Sequence, residues 1–175
     1  MAQEMTAAEL KKALRLEPHP REGGWFRQTW KAEEAIPGGA LPARYVAGRE
    51  PGRSAGTAIY YLLEPESFSE MHRLTSDEVF HFYLGDAVEM LQLFADATGR
   101  RVALGPDVAR GQLVQTVVPQ GVWQGSRLIE GGKFALLGCT VSPGFEYADY
   151  ASGQREELVR GWPEWAEMII RLTHG

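Results

Sequence analysis

The sequence predicts an all-β domain, a sandwich or closed barrel, with helices only near its two ends. Three observations predict it. At least eight short runs rich in β-branched and aromatic residues follow one another, closed by turn signals built from Gly, Pro, Asp and Ser. Helical periodicity is confined to residues 6–15 and about 162–173. The 175 residues, 44% of them hydrophobic, suit one domain, spanning 1–175, that buries a core without disulfide staples.

Taken in order, Thr6-Ala7-Ala8-Glu9 fits a capping box, and Leu10, Ala13 and Leu14 share one face of the helix that follows. Pro18 and Pro20 end it. Gly23-Gly24 permits a tight bend, and Trp25-Phe26-Arg27-Gln28-Thr29-Trp30 reads as a strand that opens a β core of about 22–150. Residues 31–55 lack a period and read as a long loop, with one short strand at Arg44-Tyr45-Val46; loops of this length often serve as lids or contact segments. Thr57 to Leu63 is a strand. Phe68 to Gly85 reads as a hairpin, two strands about a turn at Thr75-Ser76-Asp77. Strands follow at Ala87 to Phe94, Arg100 to Leu104 and Leu113 to Val118. Trp123 to Ile129 and Phe134 to Val141 form a second hairpin about Glu130-Gly131-Gly132. After Tyr150 come polar residues, and then a helix of about 162–173 with Pro163 in its first turn and Trp165, Met168, Ile169 and Leu172 on its apolar face.

A net charge of −5 with scattered basic residues argues against nucleic acid or an anionic membrane as partner. The single cysteine, Cys139, lies in an apolar run and reads as a buried, inert thiol. With no secretory leader pattern and no apolar run of membrane-spanning length, the expected compartment is the cytoplasm.

The stretch FSEMHRLTSDEVFHFYLG crowds His72, Glu78 and His81 against aromatic residues. Glu78 and Gly85 keep the spacing of a glutamate, six residues and a glycine, with His72 upstream. Pro119-Gln120-Gly121-Val122-Trp123 fits a second motif whose histidine is replaced by Gln124. Together these resemble the two motifs of the cupin superfamily. With LEPHPREGGWF, TAIYYLL, VVPQGVW and LLGCTVSPGFEYADY, the chain looks like one branch of cupins described only as a domain of unknown function. The resemblance implies a cupin-type double-stranded β-helix, a jelly-roll barrel with short terminal helices and a pocket at one mouth. It also implies a homodimer, to which the aromatic strand at Trp25-Phe26 and Trp30 would contribute, and similarity to metal-free dTDP-sugar 3,5-epimerases.

For chemistry, a cupin metal centre here would take His72, Glu78 and Gln124, but Gln124 is uncharged and two histidines of the usual set are missing, so no cofactor is expected. A metal-free isomerase or epimerase needs a base and an acid about a carbon next to a carbonyl. His72 with Glu78 suits the base and Tyr60 the acid, the site being completed by Arg73 for an anionic group, Tyr61, Trp123 as a stacking wall, and Gln124 as a hydrogen-bonding amide. Core packing explains the two tyrosines and the tryptophan equally well. His81, three positions from Glu78, should face the other way from it. His19 and His174 do not read as ligands. Two function classes stay open: an enzyme on a polar, anionic or sugar-nucleotide-like metabolite, and a small-molecule-binding protein without catalysis, with a metal-dependent cupin enzyme as a further alternative.

Overall fold

The computed structural model of the chain describes residues 5–45 and 52–175. Among the described residues, three α-helices, α1 (Ala7–Ala13), α2 (Arg155–Gly161) and α3 (Ala166–Arg171), flank thirteen strands. These are β1 (Glu17–Pro18), β2 (Trp25–Lys31), β3 (Ala35–Ile36), β4 (Arg53–Ser54), β5 (Thr57–Leu63), β6 (Phe68–Arg73), β7 (Asp77–Gly85), β8 (Val88–Leu93), β9 (Gly99–Leu104), β10 (Gln115–Val118), β11 (Trp123–Leu128), β12 (Ala135–Ser142) and β13 (Ala151–Ser152). The capping box forms as the sequence predicts: the Glu9 amide donates to Thr6 Oγ1 at 3.2 Å, and the Thr6 amide donates to Glu9 Oε2 at 2.8 Å.

The strands form two large antiparallel sheets, a six-stranded one in the order β1-β2-β5-β12-β7-β10 and a five-stranded one in the order β13-β6-β11-β8-β9. This winding corrects both predicted hairpins. β6 and β7 lie in different sheets, and so do β11 and β12. The Thr75-Ser76-Asp77 turn and the Gly131 turn are therefore crossings between sheets, as a jelly roll requires. The consequence for function is direct: His72 on β6 and Glu78 on β7 come from opposite walls of the barrel.

Side chains of Tyr61, Leu63, Phe80, Val88, Met90, Leu104 and Leu137 fill the space between the sheets. Burying each of them fully contributes about 1.5–3 kcal/mol. α1 packs on the outer face of the six-stranded sheet over Leu62 and Leu136, and α2 and α3 cover the outer face of the five-stranded sheet over Met71, Leu91 and Leu93. The outward-facing Leu62 of β5 and Leu91 and Leu93 of β8 are therefore buried, which is why β5 reads as a nearly continuous apolar run.

Several further expectations need correction. α2 is cut from a segment that reads as merely polar, because only Leu158 of its seven residues is buried. The predicted helix at 162–173 is shorter, a 3₁₀ turn at Pro163–Trp165 leading into α3. Arg44 sits in a turn and Tyr45 is in no strand, while Val46 lies outside the described residues. Tyr45 is instead a buried anchor, its hydroxyl 3.0 Å from Ser76 Oγ and the buried Arg53 guanidinium 4.8 Å above its ring. Arg53 in turn pairs with Asp149, tying β4 to the segment that follows β12. β2 pairs with β5 along its length but with β1 only at Trp25 and Phe26; Trp25 packs beneath α1 and Phe26 points inward, so of the three aromatics assigned to a dimer contact Trp30 is the exposed one. His81 faces out of the barrel, on the opposite side of β7 from Glu78 as strand alternation predicts, held between Thr140 Oγ1 and Gln115 Nε2 at 3.1 Å each.

Candidate functional site

Between the sheets, next to the core, a cavity of about 90 Å³ with an open mouth is walled by Phe26, Ile59, Leu74, Val141 and Phe145. Its ionisable lining is His19, Glu22, His72, Glu78 and Cys139, with Tyr147 at the rim. Among the described residues, no lysine or arginine lines it.

Strand alternation decides which of the sequence-predicted residues reach this cavity, since neighbours along a strand point to opposite faces. His72 points in and the next residue, Arg73, points out, its guanidinium 4.6 Å over the Trp123 ring. Gln124 points in, and Trp123 packs outward with the C-terminal helices. Tyr61 points into the core, while Tyr60 lies on the outer face against α1, edge-on to Tyr83 at 6.1 Å. The structure thus brings together His72, Glu78 and Gln124. It places Arg73, Trp123 and Tyr60 outside the barrel, and it commits the Tyr61 hydroxyl to the Gly23 carbonyl at 2.8 Å.

Two further residues complete the site: Glu22, on which the sequence offers no reading, and His19, which the sequence reading sets aside. The segment between α1 and β2 folds over the barrel mouth because Gly23 and Gly24 adopt φ of +95° and +70°. A Cβ on Gly23 would collide with the Phe68 carbonyl, and one on Gly24 would lie 2.8 Å from the Leu62 carbonyl. The bend drops Glu22 and His19 into the cavity. Glu22 is fastened by its carbonyl, which accepts from the Glu70 amide at 2.9 Å, and by Oε1, which accepts from Ser69 Oγ. A register shift between Gln124 and Ser126 on β11 lets Ser69 and His72, three apart on β6, both face Glu22.

The hydrogen bonds fix the two imidazoles in opposite tautomers. His72 Nδ1 lies 2.7 Å from the Glu70 carbonyl, which can only accept, so the ring proton is on Nδ1 and neutral His72 presents a lone pair at Nε2. His19 Nδ1 accepts the Glu22 amide at 2.8 Å, so its proton is on Nε2. Each Nε2 lies 3.9 Å from the same oxygen, Glu22 Oε2. Burial pulls the His19 ionisation below its ordinary value, against the raising influence of Glu22. His72 is stacked on Tyr150 at 4.8 Å, and β13 pairs with β6 to hold that stack.

Glu78 is the most displaced carboxyl of the cavity. Burial and then the Glu22 carboxylate raise its pKa from 4.5 to about 7, although His72 and hydrogen bonds from Gln124 and Cys139 favour its anion. Gln124 Nε2 donates to Glu78 Oε2 at 2.6 Å, which leaves the buried Gln124 Oε1 with no hydrogen-bond partner among the described residues. Burial and the nearby Glu78 carboxylate also push the Cys139 thiol far up, keeping it protonated.

These residues do not fit a metal centre. His19 could offer the nitrogen that faces the cavity only by moving its proton to Nδ1, where the Glu22 amide already donates. Gln124 turns its amide N–H toward Glu78. Among the described residues no group of three or more His, Cys, Asp or Glu is arranged to hold a metal ion.

Comparison with known proteins agrees with the architecture. The family model described as Cupin superfamily (DUF985) matches residues 8–152. The chain is 28% identical over 149 residues to the uncharacterized protein YML079W of Saccharomyces cerevisiae, covering 80% of this chain and 72% of that one. It is similar to the crystal structure of protein SO0799 from Shewanella oneidensis at 31% identity and a TM-score of 0.84, covering 98% of this chain and 99% of the other. A hypothetical protein from Leishmania major matches at 31% and 0.84, over 98% and 100% of the two chains. Oxalate decarboxylase from Bacillus subtilis, at 13% identity, a TM-score of 0.52, and 90% of this chain against 37% of that one, shares the fold alone.

Proposed function

The chain belongs to the cupin superfamily (DUF985), and from that premise we propose that it is a metal-independent proton-transfer enzyme, an isomerase or epimerase acting at a carbon next to a carbonyl. One observation carries the reading: Glu78, whose ionisation is raised to about 7, shares an apolar cavity with His72, whose neutral form turns a lone pair at Nε2 into it. A carboxyl with a pKa near the operating pH both gives and takes protons readily, and an imidazole beside it provides the complementary group.

The cavity is small, about 90 Å³, and open at its mouth, so it suits a compact metabolite whose remainder extends into the mouth. With two carboxyls, two imidazoles and no Lys or Arg among the described residues of the lining, an uncharged hydroxy-aldehyde or hydroxy-ketone fits better than the anion first assigned to Arg73. Tyr60 is not the acid in this reading, since it lies outside the barrel; Glu78 takes that part. A cytoplasmic setting is included, in keeping with the one buried free thiol. No helix among the described residues is long and apolar enough to cross a membrane.

The test is deuterium incorporation from D₂O into a panel of unphosphorylated three- to six-carbon hydroxy-aldehydes and hydroxy-ketones, followed by proton NMR. Exchange is expected next to the carbonyl of at least one member, and it should be lost in both His72→Gln and Glu78→Gln. If the wild type exchanges none of them while a panel member still raises its melting temperature, the protein is a binding module and this reading fails.

A further inference from the structure

Resting on that proton-transfer reading, we infer that His19 is a catalytic residue, a neutral hydrogen-bond donor whose Nε2–H holds the carbonyl oxygen of the substrate as it becomes an enolate. The argument starts from backbone geometry. The Glu22 amide donates to His19 Nδ1 at 2.8 Å and the Arg21 amide approaches the same nitrogen at 3.4 Å, so two backbone donors specify the tautomer. The His19 side chain is 5% exposed, yet its Nε2–H has no acceptor at hydrogen-bond distance among the described residues, Glu22 Oε2 being 3.9 Å away. It is thus a prepositioned donor, aimed into the cavity and not used by the fold.

The same Glu22 oxygen lies 3.9 Å from His72 Nε2, the lone pair assigned to the base. One corner of the cavity therefore offers a donor from the mouth segment and an acceptor from the barrel wall. An α-hydroxy carbonyl compound matches that pair. The His72 lone pair takes the proton from the carbon next to the carbonyl. The C–H electron pair becomes the C=C bond, and the carbonyl π pair moves onto oxygen, where His19 Nε2–H meets it. Return of a proton to the same carbon from the protonated Glu78, on the opposite wall, completes an epimerisation, and the His72 imidazolium then passes its proton to the Glu78 carboxylate, with no outside reagent. Burial favours the neutral form of His19, and a neutral imidazole keeps its Nε2–H as a hydrogen-bond donor to the enolate. A preorganised donor of this kind is worth about 10²–10³ in rate.

His19→Asn separates the roles, because the Asn carbonyl replaces Nδ1 as acceptor for the Glu22 amide but supplies no donor where Nε2–H was. With the panel member that the wild type exchanges, the variant should keep its melting temperature and lose about 10²- to 10³-fold in exchange rate. Long-range proton–nitrogen NMR of the ¹⁵N-labelled wild type at pH 7 should show His19 as the Nε2–H tautomer and His72 as the Nδ1–H tautomer. An unchanged exchange rate in His19→Asn, or His19 found protonated at Nδ1, overturns this inference and leaves the proton-transfer reading standing. Absence of exchange in the wild type overturns both.

Discussion

Replacing Glu78 with Gln should stabilise the protein at alkaline pH while abolishing its proton chemistry. In both folded and unfolded chains Glu78 is neutral below pH 4.5. Between 4.5 and about 7 the unfolded chain ionises this carboxyl while the folded chain keeps it protonated, so rising pH progressively favours unfolding. Above about 7 the whole penalty is present, about 3 kcal/mol at 1.36 kcal/mol for each tenfold change in proton affinity. The Glu78→Gln variant escapes it. The new side chain is close in shape to the protonated acid, and its amide can donate to Gln124 Oε1, which has no hydrogen-bond partner among the described residues of the wild type. The assay is urea unfolding of both proteins from pH 4.5 to 8.5, the difference removing every other titrating group. The two should agree within about 1 kcal/mol at pH 4.5 and diverge to about 3 kcal/mol in favour of Glu78→Gln at pH 8.5, or roughly 6–12 °C in melting temperature. A difference that stays flat across this range would refute the claim that Glu78 titrates near 7.

Tyr60→Phe should leave exchange activity and its pH profile unchanged, since the ring lies against α1 and Tyr83 outside the barrel; a loss of tenfold or more would return Tyr60 to the site. Arg53→Met should lower stability by about 3–5 kcal/mol in urea unfolding, because it strands the Asp149 carboxylate against a buried wall. Light scattering should give twice the 19.4 kDa chain mass, with exposed Tyr83 and Val117 on the outer sheet face as the surface to mutate. A mass of one chain at micromolar concentration would contradict the homodimer that the family resemblance implies.

Strand positions were legible because the same β-branched and aromatic runs that favour extended backbone also fill the barrel; β5 spans Thr57–Leu63 as the sequence reading had it. Sheet membership was not legible. A short polar turn such as Thr75-Ser76-Asp77 can close a hairpin or carry the chain to the facing sheet, and the choice depends on partners far away in sequence. β7 pairs with β12 and β10, and β6 with β11 and β13. α2 was hidden for a different reason. A helix that buries one leucine has too narrow an apolar face to leave a period in the sequence.

The site shows the same division more sharply. Residues adjacent in sequence, such as His72 and Arg73 or Trp123 and Gln124, were grouped as neighbours, yet a strand separates adjacent residues onto opposite faces. The correct partners lie across space. Glu78 reaches Gln124 from the other sheet, and Glu22 reaches His72 from a segment fifty residues earlier. A signal for that segment did exist. Two successive glycines cost folding entropy unless a close approach needs them, and here Gly23-Gly24 follows a histidine and an acid within five residues. The bend that only glycine allows brings His19 and Glu22 over the mouth, and the same backbone then fixes which nitrogen of His19 carries the proton. A tautomer set by two amides is invisible to composition and periodicity, yet on the reading proposed here it separates a metal ligand from a donor to an enolate.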